Sequence, residues 1–270
     1  MPENNLILGL AAGYHYGDVR PFLTSLERAG YRGELVLFVS ETTRDLDRIG
    51  EHNVTVIPLE RPAELEHLPY NALRYFLYLD FLKSSDRRFE HVLITDVRDV
   101  IFQLDPFDYQ WTGGINCTLE DKRMTVGECP HNSHWVRGHL GEKAVTTIED
   151  NYISCSGTTV AGHSSMLEYL QIMTEKLAPY SPGERMAGYD QGLHNHLAHT
   201  GQLPGLTFHD NSGPIITLGY TKGEPETDEE GFVLNTAGAR AHMVHQYDRK
   251  PKLFKKIRSR YADYKTHVGA

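Results

Sequence analysis

The chain is poor in cysteine, in tryptophan and in long apolar runs. Its 270 residues include 3 cysteines and 2 tryptophans. Cys117, Cys129 and Cys155 are odd in number and widely spaced. They offer neither a disulfide framework nor a CxxC pair, and read as the reduced thiols of a reducing compartment. No stretch approaches the ~20 apolar residues that span a bilayer. The opening MPENNLILGLAAG has no basic n-region and too short an apolar run for a signal peptide, so a cytoplasmic protein is expected. Positive charge is in deficit: 27 Lys and Arg against 36 Asp and Glu leave a net charge of −9. A general duplex binder needs basic surface to neutralise phosphates, so nucleic acid is not an expected partner. Neither G-x-S-x-G nor G-x-x-x-x-G-K-[ST] occurs, which removes the commonest hydrolase and P-loop readings.

What is present is a strand–helix alternation. Residues 6–12 (LILGLAA), 34–40 (ELVLFVS), 53–59 (NVTVIPL) and 91–95 (HVLIT) read as strands. Between them, 20–29, 43–49 and 70–82 read as helices, the last apolar enough to be buried against a sheet. This order predicts an α/β fold with a mostly parallel central sheet flanked by helices. Beyond Pro106 the pattern loosens. Residues 118–150 read as a long polar loop, 158–161 as a short apolar piece, and 165–177 and 190–199 as helices. Residues 222–231 (KGEPETDEEG) read as an acidic, mobile loop. No repeat and no linker interrupts the chain. One domain is expected over residues 1–250, followed by a basic tail over 251–270.

The strongest chemical signal is ITDVRDVIFQLDPF, residues 94–107. An apolar strand runs straight into Asp96 and Asp99. Residues three apart on an extended strand face opposite sides, so the two carboxylates converge only if the chain turns at Val97 and Arg98. A turn at the C-terminal end of a buried strand is where open α/β sheets bind ligands. Two carboxylates there call for a countercharge, and a divalent cation carrying a pyrophosphate is one solution. An Asp–Arg surface turn is the plainer alternative.

Asp96-Val-Arg-Asp99, with Val-Ile-Phe-Gln and Asp105-Pro-Phe after it, resembles the DxD region of GT-A glycosyltransferases, in the group of glycogenin and the bacterial lipopolysaccharide galactosyltransferases. The usual motif is Asp-x-Asp before an apolar triplet; here it is Asp-x-x-Asp, and the triplet aligns Asp99 with the second Asp. Other segments resemble the same group in the same order. The resemblance implies a GT-A-like, Rossmann-related domain with a nucleotide site at the first strand end, through Ala11 and an aromatic that stacks on the base. Tyr16 is the first match for that ring and Tyr14 the second. It implies donor contacts for Arg74, one helical turn from Asn71, and for Asp96. Residues 151–162 (NYISCSGTTVAG) resemble the floor of the sugar pocket, with Gly157 admitting close backbone approach. Tyr189-Asp-Gln-Gly-Leu-His-Asn195 resembles the signature of retaining enzymes. This implies that Asp190 binds sugar hydroxyls and Gln191 lies by the anomeric face. Asp190 is otherwise read as a helix N-cap. His245-Gln-Tyr-Asp-Arg-Lys250-Pro251 resembles a closing element in which the His is a metal ligand and Lys250, or Arg249, meets the diphosphate.

The resemblance therefore implies a metal-dependent hexosyltransferase that moves a sugar from a nucleotide donor, UDP-linked in that group, to a glycan, a lipid-linked glycan or another hydroxyl acceptor. Asp96, Asp99 and His245 would hold Mn²⁺ or Mg²⁺; Asp190 and Gln191 would be catalytic. A silent nucleotide- or glycan-binding module and a nucleotidyltransferase are the alternatives. Two histidine sets compete as metal sites, His131, His134 and His139 with Cys129, and His194, His196 and His199. Neither matches a standard zinc spacing. Residues 249–265 hold eight basic residues against Asp263. Lys255, Lys256, Arg258 and Arg260 read either as a solvated helix face or as a peripheral contact with anionic lipid at the inner face of a membrane.

Overall fold

The computed structural model describes residues 4–179 and 188–262. The fold is α/β, as the alternation predicts. A seven-stranded sheet has the order β3-β2-β1-β4-β7-β6-β8. Its strands are β1 (Leu6–Leu10), β2 (Glu34–Val39), β3 (Thr55–Pro58), β4 (His91–Thr95), β6 (Ile115–Leu119), β7 (Ser154–Gly162) and β8 (Thr207–His209). β1 to β4 are parallel, and β7 runs antiparallel to both β4 and β6. A small second sheet joins β5 (Val100–Phe102), β10 (Met243–His245) and β9 (Ile215–Thr217).

Helices cover both faces. On one side α3 (Tyr70–Ser84), α6 (His163–Leu177) and α7 (Tyr189–His199) share a core with Leu6, Leu8, Val92 and Ile94. On the other, α1 (Tyr16–Arg28) packs Phe22 and Leu26 against Ile7, Leu37 and Leu93. β1, β2 and β4 send alternate residues into the two cores, and burial on both faces accounts for their near-continuous apolar runs. α2 (Leu46–Ile49) is a single turn and carries Ile49 into the α1 core.

Three expectations change. Residues 118–150 are not a long loop: they hold α4 (Pro130–Leu140) and α5 (Glu142–Ile148), wrapped on a small core of Val126, Val136, Val145 and Ile153. The piece at 158–161 is part of a nine-residue strand at the centre of the sheet. The acidic loop is tied down. Both Glu224 carboxylate oxygens accept from the first amides of α8 (Pro251–Arg260), and Arg240 bonds Asp228. The basic segment is accordingly a docked helix, with Leu253 and Ile257 buried against the second sheet. Arg258 donates to the Gly17 carbonyl and Arg260 to that of Glu230, while Lys252, Lys255 and Lys256 stay exposed. Asp263 and Lys265 lie outside the described residues. Among the described residues no helix is long and apolar enough to cross a membrane.

The histidine sets do not assemble. His194 is fully buried between Ser154 Oγ (2.9 Å) and Tyr169 Oη (2.8 Å), and His199 bonds the Tyr152 carbonyl. His139 bonds the Lys176 carbonyl, and the His131 ring lies against Trp135. Burial, helped by His199 and Arg74, lowers His194 to about 3. The unfolded ring titrates near 6.5, so this group adds stability above that pH and loses it as pH falls from 6.5 towards 3, by at most about 5 kcal/mol. Urea unfolding at stepped pH should show this acid slope, and His194→Gln should flatten it.

Candidate active site

The chain reverses its direction of travel across the sheet between β1 and β4. β2 and β3 extend to one side of β1, and β4 lies on the other. The carboxyl ends of strands at such a reversal leave a crevice for a ligand. Here a cleft of about 260 Å³ opens, lined by Leu10, Ala12 and Tyr14 after β1, by Tyr70, Asn71 and Arg74 of α3, and by Thr95 to Asp99 after β4.

The Asp96–Asp99 turn is built from its own sequence. Val97 is buried, and its Cγ2 fills the place where a side chain on Gly9 would stand: a Cβ added there would lie 2.7 Å from it. With Val97 pinned over β1, Asp96 and Asp99 swing to the same edge. The next three residues form β5, whose antiparallel partner β10 sets His245 opposite Val100. Register alone thus brings a histidine 149 positions distant in sequence from Asp96 beside the carboxylates (residues 96 and 245). His245 Nε2 lies 3.4 Å from Asp96 Oδ2 and 3.9 Å from Asp99 Oδ1.

These three residues are the group that could hold a metal ion among the described residues, with one ligand atom from each within 4.8 Å of the others. Two observations fit a cation. His245 is buried, and its Nε2 has no hydrogen-bond partner among the described residues. Its Nδ1 faces Cys155 Sγ at 3.7 Å, which leaves Nε2 for the carboxylate side. Two carboxylate oxygens with one imidazole nitrogen suit Mn²⁺ better than Mg²⁺, which favours oxygen alone. The charges are strongly coupled. Burial opposes ionisation of Asp96, but Arg74 and His245 outweigh it and hold that carboxyl well below its usual range. Burial, with Asp96 and Asp248 nearby, pushes Asp99 up. Burial favours a neutral His245, yet Cys155, Asp96 and Asp99 together raise it.

Gly157 serves this group in a way the sequence does not suggest. A Cβ there would sit 2.5 Å from His245 Cε1 and 2.6 Å from Asp96 Oδ2. The glycine makes room for the protein's own metal-facing side chains. Gly157→Ala is expected to weaken Mn²⁺ binding by about 10–100-fold, the scale seen when groups orienting metal ligands are disturbed. Calorimetric titration with MnCl₂ checks it.

Behind the carboxylates, Arg74 is buried and joins Asp96 to Asp190. It donates to Asp96 through one arm, and to Asp190 Oδ2 (3.1 Å) and the Ser156 carbonyl (3.2 Å) through the other. Asp190 also receives Asn71 Nδ2 (2.6 Å) and Ser156 Oγ (3.3 Å). It makes no helix cap: Gly188 precedes α7 in that place. Gln191 stands beside it, its Nε2 on Asn132 (3.1 Å) and Glu120 (3.3 Å), its Oε1 facing the Ser156 amide (3.4 Å).

Three nucleotide-site expectations are corrected. Tyr16 is in the α1 core, its hydroxyl on His52 and its ring under the Arg48 guanidinium at 4.2 Å, so no face is open to a base. Tyr14 lines the cleft instead. Ala11 is buried, its carbonyl held by Thr43 Oγ1, and Ala12 takes the cleft position. Lys250 is turned away from the cleft, with Nζ on the Thr221 carbonyl at 2.5 Å. Arg249 pairs with Asp248 at the surface.

Glu120 is absent from the residues that the sequence singles out. It follows β6 as Asp96 follows β4, and the two strands run the same way, so both acids end at one sheet edge. Glu120 is buried, Oε1 meets Gln191, and Oε2 has no hydrogen-bond partner among the described residues. Burial pushes it up to about 7, against the pull of His245 and Gln191. Its position directly after β6 parallels that of Asp96 after β4, but Asn116 and Thr118 within that strand keep the run from reading as apolar in the sequence. Compared with protein-family models and with curated protein sequences, the chain finds no match.

Proposed function

We propose that this chain is a metal-dependent glycosyltransferase that moves a sugar from a nucleotide donor, UDP-linked by preference, to a hydroxyl of a glycan or lipid-linked glycan, with retention at the anomeric carbon. The observation that carries this reading is the convergence of Asp96, Asp99 and His245 beside a cleft at the β1/β4 strand ends. When bound, Mn²⁺ or Mg²⁺ would supply Lewis-acid stabilisation of the charge that grows on the leaving diphosphate.

The order of groups along the sheet edge supports a donor of this shape. Tyr14 follows β1, the carboxylates follow β4, and Gly157 and Glu120 belong to β7 and the end of β6, the next strands out. At a strand spacing of about 4.8 Å, that edge runs nucleoside, diphosphate, sugar in sequence. Tyr14 is the aromatic surface that lines the cleft for a base, beside Tyr70, one face of which lies under the Arg61 guanidinium at 4.7 Å. Asp190 is surrounded by donors from Asn71, Arg74 and Ser156, which suits a group that orients and ill suits a proton-accepting base. A retaining transfer needs no strong base, and Gln191 is held on three sides next to it. Orientation of donor and acceptor is then the main work of these side chains. The exposed Lys252, Lys255 and Lys256 leave a small basic face on α8 for an anionic lipid surface.

A thermal-shift screen of nucleotide sugars with and without MnCl₂, followed by assay of released nucleoside diphosphate, tests the reading. A metal-dependent shift with turnover supports it; metal-dependent binding without turnover marks a binding module; no shift with any donor rejects it.

A further inference from the structure

The cleft holds two carboxylates, and its buried cation is already committed. Arg74 spends its guanidinium on Asp96, Asp190 and the Ser156 carbonyl. Lys250 donates to Thr221 and is not part of the cleft wall. Arg98 differs from both. It lines the cleft next to Asp99, its side chain is 47% exposed, and Tyr14 and Asp18 lie within its electrostatic reach. Its guanidinium makes one side-chain hydrogen bond among the described residues, to Asp248 Oδ2 at 2.8 Å. Of its five N–H donors, most remain for a ligand.

Its place follows from the spacing of the acids. Val97 is locked into the core against Gly9, so the residue after it is turned out to the cleft. The extra residue between the two carboxylates therefore brings a cation to the same edge. The strand and turn carrying Asp248 keep that cation in place: Tyr247 Oη bonds the Arg98 carbonyl (2.9 Å), and the Asp248 carboxylate holds the guanidinium. A partly exposed ion pair is weak and yields to a stronger anion. A guanidinium fork matches phosphate oxygens in pairs. If Arg98 moves, Asp248 keeps Arg249 Nε, now at 3.6 Å.

Building on the nucleotide-donor reading above, we propose that Arg98 is the side chain that grips the donor's diphosphate, held ready at the cleft mouth by Asp248. This explains why the spacing is Asp-x-x-Asp: the added position carries the phosphate-binding cation that Lys250 does not supply.

Calorimetric titration of pyrophosphate and of UDP, in saturating MnCl₂, tests it on the wild type, Arg98→Ala and Arg98→Lys. Arg98→Ala should weaken both ligands by about tenfold or more, the scale of a lost charge-assisted pair. Arg98→Lys should recover part of the loss, since it restores the charge without the fork. Mn²⁺ alone should bind Arg98→Ala at least as tightly as wild type, because a neighbouring positive charge has gone. Equal pyrophosphate affinity in wild type and Arg98→Ala would overturn the assignment and leave the donor reading intact. Loss of Mn²⁺ binding in Arg98→Ala would also overturn it, by showing a structural prop for the metal group. Failure of the wild type to bind either ligand would reject the donor reading, and the role of Arg98 with it.

Discussion

Arg74→Ala is expected to cost about 3–5 kcal/mol of stability, the usual penalty for removing one partner of a buried charge pair. For a chain of this size that is a fall of about 6–20 °C in Tm. The reason is the company Arg74 keeps. Asp190 is buried, and burial already holds it above its ordinary value despite Arg74 and Asn71. Without the guanidinium, Asp190 must ionise in an apolar setting or take up a proton, and Asp96 loses its largest stabilising partner. The double variant Arg74→Met with Asp190→Asn should recover much of the loss, because neutralising the stranded acid removes its burial cost. Calorimetric melting of the wild type and the two variants measures this. A single variant that melts with the wild type would mean that the Asp96–Arg74–Asp190 chain does not form.

Asp99→Asn should separate stability from function. In the metal-free protein Asp99 is pushed up by burial and by Asp96 and Asp248. Removing its charge relieves that repulsion, so the variant should melt at or above the wild-type temperature. The same change removes a cation ligand. Wild type should gain about 2.7 kcal/mol when Mn²⁺ is present at a hundred times its Kd, and Asp99→Asn should gain far less. Transfer activity should fall at least about 100-fold, the share expected of a cation that stabilises a leaving diphosphate. A variant less stable than wild type but fully responsive to Mn²⁺ would contradict the assignment on both counts.

The parts of this protein that the sequence makes legible are those set by local pattern. Strands β1, β2 and β4 are continuous apolar runs, and a parallel sheet buried on both faces leaves no other option for them. Asp96 and Asp99 stand out because an acid pair directly after such a run is unusual. His245 is legible only through the order of motifs; what actually brings it to Asp99 is the pairing of two three-residue strands, β5 and β10, too short to announce themselves. Helix α4 stays hidden because its buried face includes Asn132 and Ser133 alongside Val136, so its periodicity reads as polar. Tyr16 and Tyr14 differ by two positions, and nothing local says that Arg48 and His52 will enclose the first. Glu120 escapes notice because the strand before it, INCTL, carries Asn and Thr at positions that prove buried.

The central claim is that Asp96, Asp99 and His245 bind one divalent cation in company with a diphosphate. Its most direct measurement is an anomalous difference map from crystals containing Mn²⁺ and UDP, recorded at the manganese absorption edge. A single strong peak within bonding distance of Asp96 or Asp99 and of His245 Nε2, touching the UDP phosphates, is the expected result. UDP seated in the cleft with no anomalous peak beside these three side chains would contradict it.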